Sequence, residues 1–359
     1  MSTIMPMHRR DFLDPRRLAE TAGHVLGLAD VHLGLTAPRS QTEVDADITL
    51  VRYSRPAMGT VFEIVLPFGH GVPTSIIHEA LDLIDELEEQ LTIYRSTSEV
   101  SDLNSRASTE TVTVTPALFE LLEMSHQLSR ETNGAFDITS GALVEAWGFV
   151  RGPKRVPSDA ERLAALARCG WKHLQLESPP PRVKYAVPGL SINLGSIGKG
   201  YALDCVAAFF HHRCPDQPVL LHGGKSSVIG IGYPPGHSKG WSVVIEHPWI
   251  PDTRLATVYL QDQAMATSAA TFKHLVHEGR KLGHILDPRT GWPAVGTASA
   301  TAIASTAAVA DALSTAFYIM GVEETAKYCQ RHREVEAVML EEGAKDARHY
   351  ASGGRQPPE

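Results

Sequence analysis

The stretch GHILDPRTGWP, Gly283 to Pro293, places His284, Asp287 and Arg289 among the turn-forming residues Pro288, Gly291 and Pro293. An imidazole can move a proton near neutral pH. Asp287 and Arg289 can either meet a ligand or close a local ion pair that fixes the turn. His284 is one of 17 histidines, so its weight comes only from what stands beside it.

Three further stretches carry residue types suited to chemistry. In INLGSIGKGYALD, Ile192 to Asp204, a strand-like run gives way to Gly195, Ser196, Gly198, Lys199 and Gly200 ahead of a helix. Glycines admit close backbone approach, and a helix start favours anions. The glycine order differs from the dinucleotide fingerprint G-x-G-x-x-G. A phosphate site and a plain strand-to-helix turn both stay open. In ADALSTAF, Asp311 and Thr315 lie four apart on one helix face. Their oxygens suit Mg²⁺, or they form an ordinary surface pair with the threonine bonding back to its own helix. GAFDITSGALVEAWGF, Gly134 to Phe149, joins a buried-looking Asp137 to aromatic residues that line a pocket or fill a core. HGGKSS, His222 to Ser227, is no Walker A loop. The required earlier glycine is Val219, and a strand-like run follows where a helix is needed.

The elements that must position these groups are legible as periodicity. ITLVRYS and TVFEIVLP predict two strands joined through RPAMG. TSIIHEALDLIDELEEQLTIY predicts a long helix capped by Thr74, with Ile77, Ala80, Leu81, Ile84, Leu87 and Leu91 on its apolar face. TPALFELLEMSHQLSRETNG predicts a second helix with Pro116 first and Asn133-Gly134 as its stop. SDAERLAALARCG adds a third, with a Ser158–Glu161 capping box and a terminal Gly170. HLQLE, RVKYAV and LSINL read as short strands, as do VLLH, SVIGIG, WSVVIEH, ATVYL and SATAIA. TAAVADALSTAFYIMG reads as a helix ending at Gly321. No internal repeat is present. Strands and helices mixed without strict βαβ alternation predict an α+β fold.

The 359 residues are 43% hydrophobic and 21% charged, as expected of a globular chain, and carry a formal charge of −8. An acidic balance argues against a general nucleic-acid binder. No apolar run reaches the ~20 residues that cross a bilayer. Cys169, Cys205, Cys214 and Cys329 match no zinc or redox spacing and read as small buried hydrophobes. The expected division is an N-terminal extension over 1–45, a single large domain over 46–345 and a disordered tail over 346–359. HRRDFLDPRR, His8 to Arg17, is similar to a twin-arginine export signal, although a polar segment follows it and no lipobox cysteine does. That start puts the cell envelope or periplasm ahead of the cytoplasm.

Taken in order, AMGTVFEI, AFDITSGALVEAWGF, INLGSIGKGYALD, VLLHGGKSSVIGIG, MATSAATFKHLVHEGRKLGHILDPRTGWP and TAAVADALSTAFYIMG resemble the successive motifs of the ApbE family, the FAD:protein FMN transferases. The resemblance spans about residues 50 to 340. It implies Mg²⁺-dependent transfer of the FMN half of FAD, the substrate, to a threonine or serine of an acceptor flavoprotein subunit or domain, releasing AMP. It also implies one large domain whose two lobes could hold FAD between them. By motif position, Met58, Tyr94, Ala135, Phe136, Asp137, Asn193, Lys199 and Ile285 would contact FAD. Ser196, Asp311 and Thr315 would surround the metal, and His284 would take the proton of the acceptor hydroxyl or hold the diphosphate in place. Asn193 stands where many relatives carry aspartate, and Gly198 where alanine is common. The rival readings are hydrolysis of FAD to FMN and AMP, and a flavin-binding protein without turnover.

Overall fold

A tight hairpin begins the main sheet. Strand β1 (Leu50–Ala57) pairs antiparallel with β2 (Thr60–Pro67), Ala57 opposite Thr60. Met58 and Gly59 form the two-residue turn, with φ 50° and 71°, the left-handed values that match the twist of the strands. The connection is therefore shorter than RPAMG suggests, because Arg55–Ala57 continue the ladder. The structure is a computed structural model and describes residues 48–150, 152–269, 274–277 and 280–351. The expected N-terminal extension and its export-like run lie outside the described residues.

Numbering the strands of the main sheet alone, β3 is Val219–Gly223, β4 Ser227–Ile231, β5 Gln263–Ala269, β6 Thr297–Ala304, β7 Glu336–Glu341 and β8 Arg348–Tyr350. The eight strands lie side by side in chain order, and each is antiparallel to the next. The sheet is thus one meander, and every other described helix and strand is inserted between neighbouring strands. Helices α1 (Thr74–Leu91), α2 (Glu99–Arg106), α3 (Pro116–Glu131), α4 (Gly141–Ala146), α5 (Asp159–Leu166) and α6 (Gly198–Arg213) all fall between β2 and β3, and α7 (Ala307–Arg331) between β6 and β7. The expected α+β single domain is what folds.

Strand alternation divides the core. Ile64 and Leu66 of β2 pack with Ile77, Leu81 and Ile84 of α1 and with Leu203 and Val206 of α6. Val65, between them in sequence, packs on the opposite face with Trp241, Val243 and Val258, as period-two side chains must. These last residues belong to an antiparallel ribbon, Trp241–Glu246 with Arg254–Leu260. A third core joins Phe136, Ile192, Leu194 and Ile285 to Ala308, Ala312, Leu313 and Phe317 of α7.

Several boundaries differ from the sequence expectations. Thr74 is the first helical residue of α1, and Pro73 holds the cap position without a side-chain hydrogen bond. The predicted strand LSINL is no strand; Ser191 makes only an isolated bridge to Ser140. Asn104 takes the place of a neighbouring strand there. Its Nδ2 donates to the Ile192 carbonyl at 2.9 Å, and its Oδ1 accepts the Ile192 N–H at 2.8 Å. α7 does not end at Gly321 but breaks there, at φ 73°, and continues to Arg331. Strand β8 lies inside the segment expected to be a disordered tail, because Arg348–Tyr350 pairs with the edge of β7. The remaining end of that segment, 352–359, lies outside the described residues. All four cysteines are free, with Cys169 and Cys329 buried and Cys205 and Cys214 partly so.

On β3, His222 stands between Glu63 of β2 and Val228 of β4 and is only 5% exposed. Burial, helped by the Arg52 charge, pushes its imidazole down to about 4 from 6.5. The fold thus favours neutral His222. That stabilisation is full above pH 6.5 and is lost as pH falls through 4, a loss on the order of 3 kcal/mol. Urea midpoints across this window should show His222→Phe losing less stability than the wild-type chain; parallel profiles would refute the assignment.

Candidate functional site

Helices α6 and α7 meet at their first turns, and a single glycine permits it. A Cβ on Gly200 would lie 2.1 Å from the Ala307 carbonyl oxygen, a distance no side chain tolerates. The contact brings Asp311 of α7 over the start of α6. Its carboxylate, 6% exposed as a side chain, accepts from Lys199 Nζ at 3.1 and 3.3 Å and from the Gly200 N–H at 3.2 Å. Ser227, buried on β4, donates its hydroxyl to the same carboxylate at 3.1 Å. In the other direction, Asp204 of α6 accepts the N–H groups of Ala307 and Ala308 at 2.7 and 2.8 Å. Burial is the main cause that raises the Asp204 carboxyl to about 6; the Asp311 charge adds to it, and the two N–H bonds oppose it.

Hydroxyls continue this polar seam toward β5. Ser268 Oγ lies 3.3 Å from Thr315 Oγ1 and 2.9 Å from Ser314 Oγ. Thr315 also donates back to the Asp311 carbonyl at 3.4 Å, so the helix back-bond anticipated for a threonine here is present but long. Ser196 sits partly buried in the turn that leads into α6. The structure therefore brings Lys199 and Asp311 into direct contact and sets Thr315 one helical turn further on. Among the described residues, no three His, Cys, Asp or Glu side chains gather to hold a metal. The seam offers the Asp311 carboxylate with hydroxyl oxygens instead.

A second cluster is built around Asp137 and Asn193. Asp137 Oδ1 accepts the Thr139 N–H and hydroxyl at 2.8 and 2.7 Å, and Oδ2 accepts the Trp171 N–H at 2.7 Å. Burial raises its carboxyl, and these bonds oppose the rise. Asn193 accepts the Gly195 N–H at 2.9 Å, which shapes the glycine turn, and donates its own N–H to the Ile138 carbonyl at 2.7 Å. Ala135 and Phe136 are fully buried. Met58 occupies its hairpin tip with left-handed φ. That tip packs closely on the β3–β4 turn, since a Cβ on Gly224 would meet Thr60 Oγ1 at 2.3 Å. Tyr94 stands in the α1–α2 connection, 63% exposed.

The histidine turn forms a third cluster. His284 packs edge-on against Phe149, with ring centroids 6.5 Å apart. Asp287 and Arg289 pair through two bonds of 2.8 Å, and Asp287 also accepts the Arg289 N–H at 2.9 Å. The local ion-pair alternative thus describes these two residues. The turn is pinned from outside by Trp147, whose indole N–H donates to the Gly291 carbonyl at 3.0 Å. Arg162 donates to the Thr290 carbonyl at 2.7 Å and lies over Trp292. Ile285 joins the apolar core that holds Ala308, Ala312 and Leu313 of α7. The histidine turn and the aspartate helix are therefore mounted on one packed body. Asp204, Ser227 and Ser268 escaped sequence reasoning. Asp204 had one available signal, an acidic residue in a helix that opens with glycines.

Comparison with known proteins gives one consistent result. The model of the ApbE family matches residues 58–339. A FAD:protein FMN transferase of Vibrio cholerae is 30% identical over 319 residues, covering 86% of this chain and 92% of that protein. One of Escherichia coli K12 is 27% identical over 293 residues, covering 80% and 83%. Among solved structures, an ApbE protein of Thermotoga maritima superposes with TM-score 0.77 at 30% identity, over 84% of this chain and 97% of that one. The apo flavinyl transferase ApbE of Pseudomonas stutzeri gives 0.75 at 27%, over 84% and 95%.

Because Asp287 holds both the Arg289 side chain and its N–H, Asp287→Ala should loosen the whole turn. The expected cost is about 1–2 kcal/mol, the scale of one partly exposed ion pair and a backbone hydrogen bond to the same carboxylate. Hydrogen exchange should show faster exchange at Arg289 and Gly291 with β3 and β4 unchanged; uniform loss of protection would refute a local role.

Proposed function

The chain belongs to the ApbE family, and on that premise we propose that it transfers the FMN half of FAD to a threonine or serine hydroxyl of an acceptor protein and releases AMP. The observation that carries the reading is the Asp311 carboxylate, held beside Lys199 where the starts of α6 and α7 meet. Lys199, paired with Asp311, supplies a positive charge there, which favours an anionic ligand beside it. A diphosphate is the part of FAD that such a place suits.

The donor set also fits Mg²⁺. Asp311, Thr315 and Ser196 offer hard oxygen atoms, and a magnesium site typically combines one or two carboxylates with substrate phosphates and water. When bound, the ion would neutralise charge on the diphosphate. Asp311 and Thr315 would hold it from α7, and Ser196 from the glycine turn.

In the reaction, the acceptor oxygen forms a bond to the FMN phosphorus. The bond from that phosphorus to the oxygen of AMP breaks, and AMP leaves with the electron pair. His284 takes the hydroxyl proton, a role its intrinsic pKa suits. Phe149 fixes the ring edge-on, and the Trp147-pinned turn keeps the imidazole in register. Lys199 steadies the charge that develops on the leaving phosphate. Asn193 orders the glycine turn, and Asp137 the segment Ala135–Thr139, through the bonds described above. Met58, Tyr94 and Ile285 would supply apolar contact to the flavin or adenine rings.

Incubating the full chain with FAD, Mg²⁺ and a candidate acceptor domain tests the proposal. Acceptor mass and AMP release should rise together. FMN and AMP without a mass gain would show hydrolysis instead, and unchanged FAD would leave binding alone. Asp311→Ala should lower the transfer rate at least about 100-fold through loss of charge stabilisation. His284→Ala should lower it by about 100-fold or more with the urea midpoint unchanged. Full activity in either variant would remove that residue from the scheme.

A further inference from the structure

Asp204 lies on the second turn of α6, outside the residues assigned above to FAD or metal. Its two oxygens accept the N–H groups of Ala307 and Ala308, the first two residues of α7. These are orphan donors that no intrahelical carbonyl can satisfy. Asp311 returns the arrangement. From α7 it accepts the N–H of Gly200, in the first turn of α6. Each helix therefore caps the other with a carboxylate, across the backbone contact that Gly200 allows.

We propose that Asp204 is a positioning residue of the transfer site, which sets the distance and register between Ser196–Lys199 on one helix start and Asp311–Thr315 on the other. The proposal rests on the flavin-transfer reading of that site.

A cap alone does not account for Asp204. α7 already has one, because Thr306 accepts the Val309 N–H through its side chain. A neutral serine or asparagine caps as well as an aspartate does. Here a carboxylate is kept partly buried and close to a second carboxylate, at a cost visible in its raised pKa. What the carboxylate adds is two acceptor oxygens in one rigid plane. Together they fix two consecutive N–H groups of α7, and so its rotation as well as its position. Rotation decides whether Asp311 and Thr315 face the glycine turn.

The test measures Mn²⁺ binding to the full chain in the presence of ADP, read as the loss of free-ion EPR signal beyond that caused by the same ADP without protein, alongside urea midpoints. Asp204→Asn should weaken Mn²⁺ about 10-fold, as loss of a group supporting a metal ligand does, while the chain stays folded. Asp204→Glu, which restores the carboxylate, should recover part of that affinity. Thr306→Ala removes the other cap of α7; it should lower the urea midpoint and leave Mn²⁺ affinity unchanged. Asp204→Asn binding within twofold of wild type would overturn the inference, as would equal weakening in Asp204→Asn and Thr306→Ala. Absence of Mn²⁺ binding to the wild-type chain would sink the metal reading and this inference together.

Discussion

The contact between Gly200 and Ala307 is the constraint on which the rest of the site depends. At 2.1 Å from a carbonyl oxygen to the position of an absent Cβ, the two helices touch backbone to backbone. That closeness lets Asp311 reach the Gly200 N–H and Lys199, and lets Asp204 reach Ala307 and Ala308. Separate the helices by one methyl group and all of these bonds lengthen at once. A polar, partly dry seam then opens to water, and its electrostatic interactions weaken with the rise in local dielectric.

Small residues carry the same logic into the sheet. Every residue of β6 is buried, and α7 buries Ala307, Ala308, Ala310, Ala312 and Ala316. Alanine on both surfaces allows the helix to lie close on the strands. Ser268 of β5 can then meet Ser314 and Thr315. The hydroxyl seam is thus a consequence of close packing between small side chains. The outer clusters need no such closeness, and there Trp147, Phe149 and Trp292 fill the space around the histidine turn.

Local sequence pattern reveals some elements and hides others, for physical reasons. α1 buries all six positions that its periodicity names, because an amphipathic helix needs only local spacing to declare its face. The capping box of α5 is also present as expected, since its partners are three residues apart. β5 was not visible. QAMATSA has neither a β-branched run nor clear alternation, and its place between β4 and β6 comes from pairing. LSINL erred in the opposite sense, since Asn104, far away in sequence, replaces the ladder it would need.

For the site itself, the sequence determined the residue types and the local frames: an aspartate and a threonine on one helix face, glycines before a helix, a histidine beside a proline turn. Resemblance to a family added the chemistry. Only the tertiary structure decided which partners each group meets. Lys199 and Asp311 are 112 residues apart along the chain and in contact across the helix pair. The histidine turn looked self-contained, yet its geometry is held by Trp147 and Arg162 from the insertion between β2 and β3. Short-range spacing encodes a face or a cap, because neighbours along the chain are already close. A contact between distant segments exists only once the core has paid their entropy of closure, and no local pattern records it.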